Sequence, residues 1–234
     1  MRFNLPVLVS QEKNCVHNHA DEIAQMGKNA LIVTGRNSSK KNGSLDDVIN
    51  ALKSKNIKYT VYDGVEENPS VETVMEAREI GVKAGCDFII GIGGGSPMDA
   101  AKAIGVMIYH KNENKDFLYK SVSNSQSLPV IEVPTTCGTG SEVTTVAVLT
   151  VHNEKTKKSM SHRIFPRMAL VDEKYIKNAP LKVICDTAID ALAHIVESCI
   201  NNNATEYSKM FAKEGLEAWS KFKDVLLGNR EATD

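Results

Sequence analysis

Apolar residues along the chain recur with two spacings, and the alternation between them sets out its organisation. Ala30-Leu31-Ile32-Val33-Thr34 is a continuous apolar run that stops at Gly35, as a buried strand does. Ser44 to Lys53 then carries Leu45, Val48, Ile49 and Leu52 at offsets of three and four, the single apolar stripe of a helix. Ser44 ahead of Leu45-Asp46-Asp47 is expected to cap it, with acids in the first turn. Lys58-Tyr59-Thr60-Val61-Tyr62 is rich in β-branched and aromatic residues and predicts a second strand.

A helix from about Ser70 to Ala84 follows, then Phe88-Ile89-Ile90-Gly91-Ile92, too short for a helix and suited to a strand covered on both faces. Gly93-Gly94-Gly95 ends that strand, and a helix from about Pro97 to Met107 comes next. Val130–Val133 and Val146–Val151 predict two more strands, with a Ser- and Asn-rich loop at 121–127 before them. Repeated strand, loop and helix units predict an α/β fold, a Rossmann-like and mostly parallel sheet with helices on both faces. Beyond Pro180 the pattern is helical alone, over Val183–Ile200 and Glu206–Leu227, and no convincing strand lies past about residue 171. An α/β domain over 1–178 and the beginning of an all-helical domain over 179–234 are therefore expected.

Composition narrows the partners. With 42% hydrophobic residues among 234, the chain can build a core and is not disordered. Its 28 basic and 29 acidic residues leave a formal net charge of -1, which offers no footprint for nucleic acid or an anionic membrane. No run approaches the roughly 18 apolar residues of a membrane span, and Met1–Ser10 lacks the long apolar stretch of a signal peptide. The five cysteines are widely spaced without a C-x-x-C pair, which suits reduced thiols and a cytoplasmic protein.

The most informative local feature is Gly91-Ile92-Gly93-Gly94-Gly95-Ser96-Pro97-Met98-Asp99. Consecutive glycines let the backbone turn sharply and approach a ligand, and Pro97 suits a first helical turn. The exposed N–H groups and positive dipole end of the helix would then face a pyrophosphate. A bare strand-to-helix turn is the competing reading, and the loop is not the G-x-G-x-x-G fingerprint. A second loop, Pro134-Thr135-Thr136-Cys137-Gly138-Thr139-Gly140-Ser141-Glu142, follows the next predicted strand and adds four hydroxyls. Two such loops at the carboxyl edge of one parallel sheet point to a shared ligand.

These loops, together with Glu67-Asn68-Pro69-Ser70, Ala169-Leu170-Val171-Asp172 and Asp190-Ala191-Leu192-Ala193-His194, resemble the iron-containing (group III) alcohol dehydrogenase family from about Gly27 to Leu227. The resemblance implies a dehydroquinate synthase-like architecture with the active site between an α/β and a helical domain. It implies that Gly93, Gly94, Gly95, Ser96 and Pro97 hold the pyrophosphate and that Asp99 fixes their loop. Thr135, Thr136, Thr139 and Ser141 would line the nicotinamide and ribose side, with Asn68 near the adenosine ribose. Lys158 matches a cofactor-contacting lysine to within one residue, its alternative being a solvated charge. Gly35, Ser38 and Ser39 would surround the adenosine end. Gly35-Arg36-Asn37-Ser38-Ser39-Lys40-Lys41 offers hydroxyls and positive charge where an acid would repel a 2′-phosphate, so NADP is expected over NAD.

Asp190 and His194 lie four apart, on one face of a helix, and match the family's first two metal ligands. A carboxylate and an imidazole suit Fe²⁺ or Zn²⁺, although such a pair also occurs as a plain surface contact. The family uses two further histidines downstream, whereas here no histidine follows His194. The helical domain and the metal site are thus expected to be incomplete, whether in a fragment or a shortened product. The implied activity is hydride transfer between NAD(P) and a primary alcohol or its aldehyde. The alternatives are a non-catalytic nucleotide-binding module and a glycerol dehydrogenase-like polyol oxidoreductase. A homodimer is compatible with the resemblance.

Overall fold

The computed structural model describes residues 4–177 and 179–227, so the expected boundary at Asn178 lies outside the described residues, as do 228–234. The described residues cluster into two units: 5–135 together with 141–177, and residue 4 together with 136–140 and 179–227.

In the larger unit the elements run β1 (Leu8–Gln11), α1 (Cys15–Asn18), α2 (Ala20–Ala24), β2 (Asn29–Gly35), α3 (Ser38–Lys41), α4 (Ser44–Ser54), β3 (Lys58–Val65), α5 (Val71–Ala84), β4 (Phe88–Gly93), α6 (Gly95–Tyr109), β5 (Val130–Pro134), β6 (Val148–Val151), β7 (Thr156–Ser159), β8 (Met168–Val171) and α7 (Glu173–Lys177). Six strands form one sheet in the order β1-β8-β5-β4-β2-β3, and every pairing in it is parallel. The chain runs outward from β2 to β3, returns to β4 on the other flank of β2, and continues away from it. That reversal creates a crevice at the carboxyl ends of β2 and β4, where α/β sheets hold ligands.

Strand periodicity assigns the two faces. Leu31, Val33, Ile89 and Val130 point into a layer with Val74 and Ala77 of α5 and Ala103, Ile104 and Met107 of α6. Ala30, Ile32, Phe88, Ile90, Ile131 and Val133 point the other way, against Cys15, Ile23, Val48, Leu52 and Tyr175. Both faces of β4 are covered, which is why it reads as an unbroken apolar run.

Three details differ from the sequence expectation. Val146–Val151 does not extend the main sheet; β6 pairs antiparallel with β7 in a separate ribbon, whose second strand, Thr156-Lys157-Lys158-Ser159, has no apolar alternation. β8 joins the sheet beside β5, and β1 joins through β8 by a pairing nearly the length of the unit apart, Leu8 with Met168. Ser44 is the first helical residue of α4 rather than its cap, and its hydroxyl bonds to Asn42 Oδ1 at 2.7 Å while left-handed Gly43 occupies the capping position.

The smaller unit pairs α8 (Leu181–Ile200) with α9 (Glu206–Leu226). A reciprocal capping box between Thr205 and Ser208 starts α9, and Trp219 Nε1 donates to Ala188 O at 2.8 Å across the pair. Gly215 permits a close approach to α8, since a Cβ there would meet Ile195 at 3.1 Å. The loop 136–140 lies against α8: a Cβ on Gly138 would come within 2.6 Å of Thr187 O.

Candidate functional site

The glycine loop lies at the carboxyl end of β4. Gly93 has φ +150, and a Cβ there would sit 2.6 Å from Pro97 Cγ, so a side chain is excluded by conformation and by space. Gly94 caps α6 without any side-chain hydrogen bond, and Gly95 and Ser96 begin the helix partly exposed. The opening N–H groups of a 15-residue helix thus lie in the sheet crevice with no side chain capping them. Pro97 is buried as the third helical residue.

Neighbouring segments hold this loop in place. Thr135 N–H donates to Gly93 O at 2.8 Å, carrying the ladder between β4 and β5 one step past Pro134. Asn68, in the left-handed conformation, donates its N–H to Ser96 Oγ at 3.1 Å. Its carbonyl accepts from Thr150 Oγ1, and its Oδ1 accepts from Lys157 Nζ at 2.7 Å. Lys157, not Lys158, is therefore the lysine joined to the loop. Adjacent side chains of β7 point to opposite faces, and Lys158 pairs instead with Glu154 and lies 5.8 Å from the Tyr119 ring centroid.

Behind the loop is a buried polar cluster. Asp99 accepts from Ser141 Oγ at 2.5 Å and from the Val148 N–H at 2.8 Å, fastening the start of α6 to the segment after the second loop. Lys102, one turn on, is fully buried. Its Nζ donates to Ser141 O, Ser141 Oγ and Val146 O at 2.9, 2.7 and 2.6 Å. Ser141, expected as a ligand contact, is 5% exposed and its hydroxyl belongs to this latch. Glu132 of β5 is also fully buried, and neither carboxyl oxygen has a hydrogen-bond partner among the described residues. Burial pushes its carboxyl well above the usual carboxylate range, an effect that nearby Lys102 only partly offsets. The same burial raises Glu142. Glu132 lies across Gly91, where a Cβ would meet its Oε2 at 2.2 Å; glycine in β4 makes room for the acid in β5.

At the end of β2, Gly35 and Ser38 are accessible, whereas Ser39 is fully buried. Its hydroxyl lies 2.8 Å from Thr34 Oγ1, so it serves the fold rather than a ligand. Lys40 is joined at 2.5 Å to Asp63, an acid on the neighbouring strand β3 that the local sequence around Gly35 does not reveal. That bond to Lys40, with the charge of Arg36 behind it, holds the Asp63 carboxyl below its usual range.

Thr136 and Thr139 are partly exposed and belong to the smaller unit, as do Asp190 and His194. His194 Nε2 lies 3.6 Å from Asp190 Oδ1, and its Nδ1 lies 3.9 Å from Glu197 Oε2. The side chains of Asp190 and His194 are about half exposed, at 44% and 54%. The donor chemistry fits a divalent cation, but among the described residues no group of three or more His, Cys, Asp or Glu is placed to hold one. Two flexible donors do not define a coordination geometry.

Comparison with known proteins agrees with this arrangement. Residues 6–173 match the iron-containing alcohol dehydrogenase family. The chain is 36% identical over 205 residues to a long-chain primary alcohol dehydrogenase of Thermoanaerobacter ethanolicus, covering 87% of this chain and 51% of that protein. It is 32% identical over 243 residues to an NADPH-dependent butanol dehydrogenase of Clostridium saccharobutylicum, covering 100% of this chain and 61% of that one. The crystal structure of an iron-containing alcohol dehydrogenase from Thermotoga maritima superposes with a TM-score of 0.92 at 39% identity, over 98% of this chain and 64% of that one. The chain thus spans between half and two thirds of the length of these relatives.

Proposed function

This chain belongs to the iron-containing alcohol dehydrogenase family, and from that premise we propose that its larger unit binds NAD(P) for hydride transfer to or from a primary alcohol or its aldehyde. The observation that carries the reading is the side-chain-free crevice at Gly93–Gly95, which aims uncapped helical N–H groups at the carboxyl edge of the sheet. A nicotinamide cofactor supplies the hydride acceptor or donor when bound. The protein's own part is placement. Gly93, Gly94, Gly95 and Ser96 receive the pyrophosphate, Asn68 and Lys157 brace its flank, and Thr135 fixes the turn. Asp99 and Lys102 hold the segment after the second loop in register with α6.

NADP is the preferred nucleotide in this reading. No acid occurs in Gly35–Lys41, and a relative that shares this chain's full length is named NADPH-dependent. Asp63 weakens the case for Lys40 as the 2′-phosphate partner, since the two already pair, and leaves Arg36 to the task. Replacing Arg36 with Ala should weaken NADPH by about tenfold, the worth of one charge-assisted hydrogen bond, and leave NADH nearly unchanged. Equal losses for both nucleotides would remove the preference.

The family relation implies a divalent metal, with Asp190 and His194 as its donors here. Because the described residues furnish only this pair, no step is assigned to it. A second reading is a nucleotide-binding chain without turnover of its own. Aldehyde reduction assayed with NADPH, with and without Fe²⁺ or Zn²⁺, separates the two: metal-dependent turnover supports catalysis, and nucleotide binding without turnover supports the module. No helix among the described residues is long and apolar enough to cross a membrane. The wide spacing of the cysteines, without a C-x-x-C pair, is consistent with a reducing, cytoplasmic setting.

A further inference from the structure

A cavity of about 350 Å³ opens at the opposite edge of the sheet, where β5 begins. Tyr109 at the end of α6, Ser125 and Ser127 of the preceding loop, and Arg163, Phe165 and Arg167 of the segment before β8 contribute to its wall. The volume lies near the lower end of the roughly 300–1,000 Å³ typical of small-molecule sites. We propose that this cavity is a second binding site, separate from the nucleotide crevice, for a small organic phosphate.

Charge is the first argument. Two arginines line the cavity and no Asp or Glu does. Neither guanidinium has a hydrogen-bond or carboxylate partner among the described residues, so neither is held by the fold. Two unengaged planar forks beside one concavity match the oxygens of a phosphate, which each can grip bidentately.

The walls are built rather than loose. Arg163 N–H donates to Ser125 Oγ at 3.0 Å, and Arg167 N–H donates to Val130 O at 2.7 Å. Those bonds fix the backbone spacing of both arginines against the loop and the start of β5. Ser125 accepts from Arg163 and keeps its own proton to donate to an anion. Tyr109 is 47% exposed, and with Phe165 and Leu128 it offers an apolar surface for the ligand's organic body. Arginines and aromatic side chains lining one cavity favour a phosphate ester over inorganic phosphate.

The position separates it from the glycine loop. α6 begins at that loop with Gly95 and ends at the cavity with Tyr109, and its 15 residues span about 22 Å. An occupant of one site does not touch the other.

The test is calorimetric titration of the intact chain with phenyl phosphate and, separately, with inorganic phosphate. Phenyl phosphate should bind saturably and about tenfold more tightly than inorganic phosphate. The double substitution Arg163→Gln/Arg167→Gln should weaken it at least tenfold, while melting temperature and NADPH binding stay unchanged. Both arginine side chains are exposed, so their loss leaves the core intact. Undiminished binding to the double variant would place the anion elsewhere, the glycine loop included, and overturn the proposal. Absence of saturable binding, or equal affinity for ester and inorganic phosphate, would overturn it as well.

Discussion

The parallel-sheet unit and the α8–α9 pair treat their apolar residues in opposite ways. In the sheet unit both faces of β4 are buried, and α6 hides eleven residues, among them a lysine. In the helix pair only Ala188 and Ala212 are buried, while Leu181, Ile189, Ile200, Met210 and Phe211 are each more than half exposed. The candidate site residues follow the same division. The glycine loop is clasped from Thr135, Asn68 and Ser96, so its shape exists before any ligand arrives. Asp190 and His194 stand half exposed on one helix face, paired with each other and not packed into a core. A site can be preorganised only where its supporting side chains are themselves packed.

The comparison breaks most sharply at Lys102. Its substitution by Met strands several buried acceptor oxygens and should cost about 3 kcal/mol in urea unfolding. A loss below about 1 kcal/mol would mean that the latch is not what orders the 141–146 segment.

Glu132 sharpens the contrast through pH. Its folded-state pKa is raised, so the folded chain keeps a proton that the unfolded chain releases above about pH 4.3. Native stability from this group is therefore present at low pH and is lost as pH rises toward the folded pKa. Glu132→Gln removes the titration. Its stability should exceed the native chain's by a gap that widens by up to about 1.4 kcal/mol per pH unit above 4.3. A gap constant between pH 5 and 7 would show that Glu132 is ionised and paired.

The smallest effect belongs to the helix pair. Ile200, 74% exposed, should tolerate Ser at a cost under about 0.5 kcal/mol in thermal unfolding. A cost near 2 kcal/mol would mean that its face is covered in solution.

The difference between the units also marks what the sequence could carry. Strands β2, β3, β4 and β5 and helices α4, α5, α6, α8 and α9 are visible because each is set by its local period. β1 is not, because Ser10 and Gln11 dilute its pattern and its sole partner is about 160 residues away. β7 is not, because a two-stranded ribbon needs no apolar face. Lys102 carries no local mark of its burial, which depends on oxygens some 40 residues onward. Glu132 did leave a signal: a lone acid inside Val130-Ile131-Glu132-Val133, a strand apolar on both faces. Asp63 left none near Gly35, since only the pairing of β2 with β3 brings it to Lys40.

The central claim is that the sheet unit carries a preformed dinucleotide site. Its most direct test is a fluorescence titration of the chain with NADPH, run beside Gly93→Val. The account predicts saturable binding to the native chain and its loss in the variant, because a side chain at Gly93 meets Pro97 inside the loop. A folded native chain that binds neither NADPH nor NADH, or a folded variant that binds as tightly as the native chain, would contradict it.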